Sequence, residues 1–274
     1  VYFLPKSESF TELISALASY AEIDNFKLNH IRVGQSYVLT VPNDQATWTD
    51  YWHLKRTQIC WEDDETPYAW QLTTGDPNVT VAVLDDGLVI TPDFDENLPG
   101  YDYYDNDIDY SPNPYHVSHG TRMSTIIAAK TSNQYGLYGI AGGDGQSSKP
   151  ITIMTLRVTS INGVDLLLFD DVSTALAIED AVDQGARVIN FAWGLLDPPI
   201  DSEIDNALTY ATSNDVTIIA AAGNDNNHTH VSWPAVREDV ISVAAMDQSE
   251  ERLTGNPNMG SNMGPQNDIT LPGE

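Results

Sequence analysis

Val79-Thr80-Val81-Ala82-Val83-Leu84-Asp85-Asp86-Gly87 is the stretch that decides the fold. A largely β-branched run with no polar alternation suits a strand buried on both faces, as in a parallel sheet. Two carboxylates follow it at once, and Gly87 permits a sharp turn away. The surrounding chain repeats the pattern. Ile151 to Val158, Arg187 to Phe191, Val216 to Ala222 and Val240 to Ala245 read as further strands. Between them, Asp171 to Gln184 reads as a helix, with Val172, Ala175, Leu176, Ile178, Ala181 and Val182 mostly three and four apart and Gly185 as its left-handed cap. A second helix is expected from about Ser202 to Ser213. Alternating strands and helices predict an α/β fold over residues 78–274, a parallel sheet flanked by helices. In such a sheet the functional site lies at the carboxyl ends of the strands.

Upstream the pattern changes. Residues 46–77 form an irregular lead-in rich in tryptophan, and Trp48, Trp52, Trp61 and Trp70 are expected to plug it onto a neighbouring core. Residues 1–45 read as a small βααβ domain. Its strand Val1 to Leu4 is followed by a helix carrying Phe10, Leu13, Ile14, Leu17 and Tyr20. A short helix around Ile23 to Leu28 leads to a strand ending at Pro42.

Composition removes several classes of function. With 12 basic and 40 acidic residues, the net charge of −28 disfavours nucleic acid and anionic lipid as partners. Such a surface suits a cationic ligand, a divalent metal or high salt. The lone Cys60 excludes an internal disulfide, and no apolar run reaches the roughly 18 residues of a membrane span.

Three places carry polar residues that packing alone leaves unexplained. Asp85 follows a buried strand. His119-Gly120-Thr121-Arg122 sets an imidazole at the start of a helical run through Ile126 and Ala129. In Ala220-Ala221-Ala222-Gly223-Asn224, small residues let a ligand backbone approach, and Asn224 offers an amide N–H. An acid that orients a histidine, a histidine that serves as base and an amide that donates to an oxyanion describe acyl transfer.

In this order, with Asn190-Phe191-Ala192-Trp193-Gly194 between them, these stretches resemble the motifs of the subtilisin-like serine proteases, and more closely their kexin/furin-like branch. Arg122 is the variant that this branch shares. The lead-in Asn43-Asp44…Tyr51-Trp52-His53-Leu54 and the late Ser261-Asn262-Met263-Gly264…Leu271-Pro272-Gly273 match as well. The resemblance covers residues 43–274 and implies a secreted or cell-surface, calcium-stabilised endopeptidase acting on polypeptides. His119 would be the general base, Asp85 its orienting acid and Asn224 the oxyanion donor. Ala192, Trp193 and Gly194 would pair with the substrate backbone. With Ala221, Ala222 and Gly223 they would wall the first specificity pocket. Asp86 and Asp197 stand where furin-like enzymes read basic side chains, whereas Asp225-Asn226-Asn227-His228 lacks the next such acid. Basic and broad hydrophobic preferences both stay open.

For calcium (Ca2+), the family's tight site matches Asp93, Asn133 and the carbonyls of Thr131, Tyr135 and Leu137, with Asp44 as a further ligand. The run Asp102, Asp105, Asp107 and Asp109 reads either as a second cation site or as a solvated acidic loop.

One departure matters most. The family's nucleophile lies in a Gly-Thr-Ser motif, and this chain contains no Gly-Thr-Ser. The serine is therefore expected beyond Glu274 or on a separate chain. The alternative is a catalytically inactive subtilase scaffold that serves as a glycan-binding or surface structural subunit. Residues 1–45 bear on that choice. Leu28-Asn29 through Val33-Gly34-Gln35 to Val41-Pro42 resembles a LysM module, which implies binding to glycans containing N-acetylglucosamine. A propeptide-like or structural appendage is the other reading.

Overall fold

The computed structural model describes residues 52–60, 68–113, 118–162, 166–168, 171–195, 203–254 and 260–273. All fall in the second of the chain's two units, Val41–Glu274. The expected βααβ domain of residues 1–45 lies outside the described residues, as do Asp44, Trp48, Trp61 and Asp197.

Seven strands make one parallel sheet: β1 (Thr80–Asp85), β2 (Gly100–Asp102), β3 (Thr152–Arg157), β6 (Val188–Phe191), β7 (Thr217–Ala221), β8 (Ile241–Met246) and β9 (Ile269–Pro272). A short antiparallel hairpin, β4 (Ser160–Asn162) with β5 (Leu166–Leu168), stands apart from it. The sheet order is β2-β3-β1-β6-β7-β8-β9. Strand β1 therefore has β3 on one side and β6 on the other, and the winding reverses there. A crevice opens at the carboxyl ends of the strands where such a reversal occurs.

Among the described residues the α-helices are α1 (Trp52–Arg56), α2 (His119–Ala128), α3 (Asp171–Asp183) and α4 (Glu203–Ser213). Strand periodicity divides them between the two faces. Val81 and Val83 pack with Ile153 and Ala128 of α2, whereas Ala82 and Leu84 join the larger core with Ala177, Ile178 and Ala181 of α3 and Ile204, Ala207 and Leu208 of α4. Asp85 continues the parity of Val81 and Val83. It is thus delivered to the α2 face at the sheet's carboxyl edge.

Within residues 78–274, the expected strands and helices fall within a residue or two of the observed ones. Helix α3 ends as its sequence requires. Gly185 has φ +85°, and the amides of Gly185 and Ala186 return to Val182 and Ala181. Not every apolar position on α3 faces the core, since Val172 is 57% and Leu176 50% exposed. In the lead-in, Trp70 does anchor the chain. It is buried, donates from Nε1 to the Ile140 carbonyl at 2.8 Å and meets the Tyr138 ring edge-on.

Candidate active site

Helix α2 places the imidazole. Its first-turn amides need acceptors, and all three find them. Ser118 caps the helix by accepting from Thr121 N at 3.1 Å. Asp86 accepts from His119 N at 3.0 Å and from Gly120 N at 2.8 Å. The helix start also lies very close to the strand end. A Cβ on residue 120 would fall 2.5 Å from the Gly87 carbonyl and 2.9 Å from Asp85 Cβ, so glycine is what permits the approach.

That approach brings His119 Nδ1 to 2.9 and 3.1 Å from the two Asp85 carboxylate oxygens. Asp85 is 2% exposed, and Asp86 N also donates to its Oδ1 at 2.8 Å. Burial pushes the Asp85 carboxyl above its usual range, partly offset by its bond to His119. The same bond lifts His119 above the ordinary imidazole value, against the opposing effect of its own burial. Asp85 therefore holds the proton on Nδ1. Among the described residues Nε2 has no hydrogen-bond partner, and the side chain is 34% exposed. This tautomer leaves Nε2 as a base facing away from the acid.

Strand β7 carries the third element. It runs parallel to β6, which runs parallel to β1. The carboxyl ends thus line up, with β7 two strand spacings, about 10 Å, from β1. Asn224 is exposed on the turn beyond β7. The expected pocket segments meet here. A Cβ on Gly194 would lie 2.8 Å from the Trp233 carbonyl, 3.1 Å from Ser232 Cβ and 3.7 Å from the Ala221 carbonyl. Ser232 N donates to the Ala222 carbonyl at 2.8 Å. Residues 192–194 and 221–223 are thus joined through Ser232 and Trp233, two residues that motif reading passes over.

Residues 76–274 match the model of the subtilase family. The chain belongs to the subtilase family. A thermophilic serine proteinase from Bacillus sp. (strain AK1) is 36% identical over 211 residues, 76% of this chain and 47% of that protein. A halolysin-like extracellular serine protease, Nep, from Natrialba magadii is 31% identical over 212 residues, 75% of this chain and 36% of that protein. The solved structure of the prenylagaramide maturation protease PagA superposes with TM-score 0.55 at 29% identity, covering 74% of this chain and 66% of that one. The chain spans under half the length of these two curated relatives.

Within this subtilase, one expected specificity residue has its carboxylate engaged by the protein itself. Asp86 is 4% exposed, and besides the two α2 amides it accepts from Ser118 Oγ at 2.9 Å. Its carboxylate serves the helix N-terminus, where negative charge also meets the positive end of the dipole. The Trp193 side chain is likewise buried. Its Nε1 donates to the Leu84 carbonyl at 2.8 Å, and its ring packs edge-on against Phe191 at 5.3 Å. The pairing with a substrate backbone expected of residues 192–194 does not involve that ring. Ala192 and Gly194 are partly exposed beside it. The other expected specificity acid, Asp197, lies outside the described residues.

The loop after α2 turns back on Asp93. Asn133 Nδ2 donates to Asp93 Oδ1 at 2.8 Å, and Asn133 Oδ1 accepts from Tyr135 N at 2.9 Å. A Cβ on Gly136 would sit 2.3 Å from Asp93 Oδ2, so glycine keeps the space beside that oxygen open. A carboxylate, an amide oxygen and main-chain carbonyls are the hard oxygen donors that calcium takes, and Asp93 is buried. Asn133, however, turns its NH2 to Asp93 and its oxygen to the Tyr135 amide, so its side chain would have to turn over to be a ligand. Among the described residues no three His, Cys, Asp or Glu side chains converge. Any ion here would depend on backbone carbonyls.

The acidic run has a different organiser. Arg157 of β3 lies opposite Asp102 of β2 in register. Its guanidinium bonds the Asp102 carboxylate and, at 2.6 Å, Asp105. Asp102 and Arg157 are both buried, beneath a cleft of about 660 Å³ that Asp107 and Asp109 also line. Arg157 thus supplies positive charge to Asp102 and Asp105 at this end of the run.

Proposed function

We propose that this chain is the part of a subtilisin-like serine endopeptidase that carries the general base, its orienting acid and the oxyanion donor, with the nucleophilic serine beyond Glu274 or on a separate chain. The observation that carries this reading is the hydrogen bond that His119 Nδ1 donates to Asp85 at the sheet's carboxyl edge. That geometry prepares Nε2 to take a proton from a serine hydroxyl and later to return it to the leaving amine. The buried Asp85 stabilises the imidazolium formed in between. The Asn224 side-chain amide donates to the tetrahedral oxyanion, a contribution of about 3 kcal/mol for such a donor. The polypeptide substrate adds as a strand along residues 192–194. With Asp86 turned to α2, a broad preference fits the small-residue walls at Gly194, Ala221, Ala222 and Gly223.

Calcium would be held by Asp93, Asn133 and the carbonyls of Thr131, Tyr135 and Leu137, with Asp44 as a further ligand. Bound there, it supplies charge compensation and rigidity to the loop. Secretion or a cell-surface location is supported by the relative named extracellular. Arg122 and the lead-in support the kexin/furin-like affinity. Residues 1–45 would be a LysM-like domain that tethers the protein to N-acetylglucosamine glycans.

The test is labelling of the native protein, in calcium, with a serine-directed fluorophosphonate, read by denaturing mass spectrometry. A label on a serine in a continuing or accompanying polypeptide is the expected result. No label on fresh material would overturn the protease reading and favour a glycan-binding or structural subunit on the same scaffold.

A further inference from the structure

Asn224 sits on an exposed turn, yet an oxyanion donor must be held in place, because a displacement near 1 Å costs about 10²-fold in rate. What holds this turn is the segment that follows β8. Asn226 N donates to the Gly260 carbonyl at 2.8 Å and Gly260 N to the Asn224 carbonyl at 3.2 Å. Asn262 N reaches the Gly223 carbonyl at 2.8 Å, and Met263 N the Asn227 carbonyl at 2.9 Å.

The side chain of Asn262 completes the brace. Its Oδ1 accepts from Asp225 N and Asn227 N, both at 2.9 Å. Its Nδ2 donates to Asp225 Oδ2 at 3.0 Å and to Ser232 Oγ at 3.2 Å. These are all the hydrogen bonds an asparagine side chain can make. Backbone amides only donate, so the oxygen must face them, and the amide orientation is fixed. Asn262 is 0% exposed, so water does not replace a lost partner. Ser232 in turn lies against Gly194. One buried side chain thus couples the turn on both sides of residue 226 to the pocket segment.

We propose that Asn262 is the positioning residue of the oxyanion donor, acting through the 223–227 turn to fix where the Asn224 amide points. Its catalytic consequence rests on the protease reading, but its structural consequence does not.

The test has two arms. In the chain alone, hydrogen exchange at the Asp225 and Asn227 amides should accelerate in Asn262→Ala and Asn262→Asp, while the amides of β6 to β8 keep their protection. Asn262→Asp retains the acceptor but sets a carboxylate against Asp225. The double variant Asn262→Asp/Asp225→Asn restores the complementary pair and should restore protection. In the chain assembled with its serine-bearing polypeptide, Asn262→Asp should lower kcat by about 10²-fold with little change in KM. The double variant should recover most of that, and in an Asn224→Ala background Asn262→Asp should cost little more, because the donor is already gone. Unchanged exchange at 225 and 227, no recovery in the double variant, or losses that multiply with Asn224→Ala would each overturn the proposal. If the wild-type assembly hydrolyses nothing, the protease reading fails by itself, and exchange with rescue still decides whether Asn262 holds the turn.

Discussion

Replacing Asp86 by alanine separates a helix cap from a substrate-reading acid. The substitution removes three accepted hydrogen bonds, from Ser118 Oγ and from the amides of His119 and Gly120. Loss of a helix cap costs about 0.5–2 kcal/mol, and each buried amide left without a partner about 1–3 kcal/mol. Ser118 still serves Thr121, and a water could enter the space, so the sum should settle near 3 kcal/mol. For a domain of this size that lowers the melting temperature by roughly 6–12 °C. Asp86→Asn keeps one acceptor but turns an NH2 toward a backbone N–H, and should lose about half as much. Urea unfolding followed by tryptophan fluorescence reads the stability. Cleavage of matched peptides with basic and apolar side chains reads the specificity. A variant within about 0.5 kcal/mol of wild type that has lost a preference for basic peptides would refute the cap and restore Asp86 to the substrate wall.

Two further outcomes follow from the site and from the loop after α2. Asp85 holds His119 above the ordinary value of 6.5, and the base must be neutral to work, so the acid limb of kcat/KM should lie above that value and move down in Asp85→Asn. A raised histidine contributes its stability below its unfolded value and loses it as pH rises through the folded one. NMR titration of the His119 ring together with urea unfolding at about pH 6 and about pH 9 checks both signs. Calcium in large excess over its dissociation constant, about 1,000-fold, should add about 4 kcal/mol to the unfolding free energy. EGTA should remove it, and Gly136→Ala, whose methyl would press on Asp93 Oδ2, should abolish the response. A melting temperature that calcium and EGTA leave unmoved would refute the site.

Several features of the molecule were visible only once distant segments met. Asp86 stands beside Asp85 in sequence, but whether its carboxylate faces a substrate or a helix depends on residues 118–120, more than 30 positions away. Trp193 lies in a motif that speaks only of its backbone, and its ring turns inward to the Leu84 carbonyl, 109 residues away. Arg157 is one basic residue in a strand until β2 lays Asp102 beside it. Strands β2 and β9 have three and four residues, too short for a period to register. Val172 and Leu176 satisfy helical spacing but sit on the outer side of α3.

The strand at 80–85, the helices at 171–183 and 203–213, and the Asp85, His119 and Asn224 positions at strand and helix ends could all be read along the chain. Periods of 2 and 3.6 are properties of the local backbone, and a run or a stripe of apolar residues expresses them within a dozen positions. The partners of the buried polar groups could not be read that way. A carboxylate, an amide or an indole N–H must be satisfied by whichever donor or acceptor lies within about 3 Å, and here the chain returns to provide it from 30 to more than 100 residues away. Asn262 is the clearest case. Its place in a short motif is local information, but its four partner atoms, on residues 225, 227 and 232, come together only because β7 and β8 lie side by side and the chain after β8 runs back over the turn that ends β7.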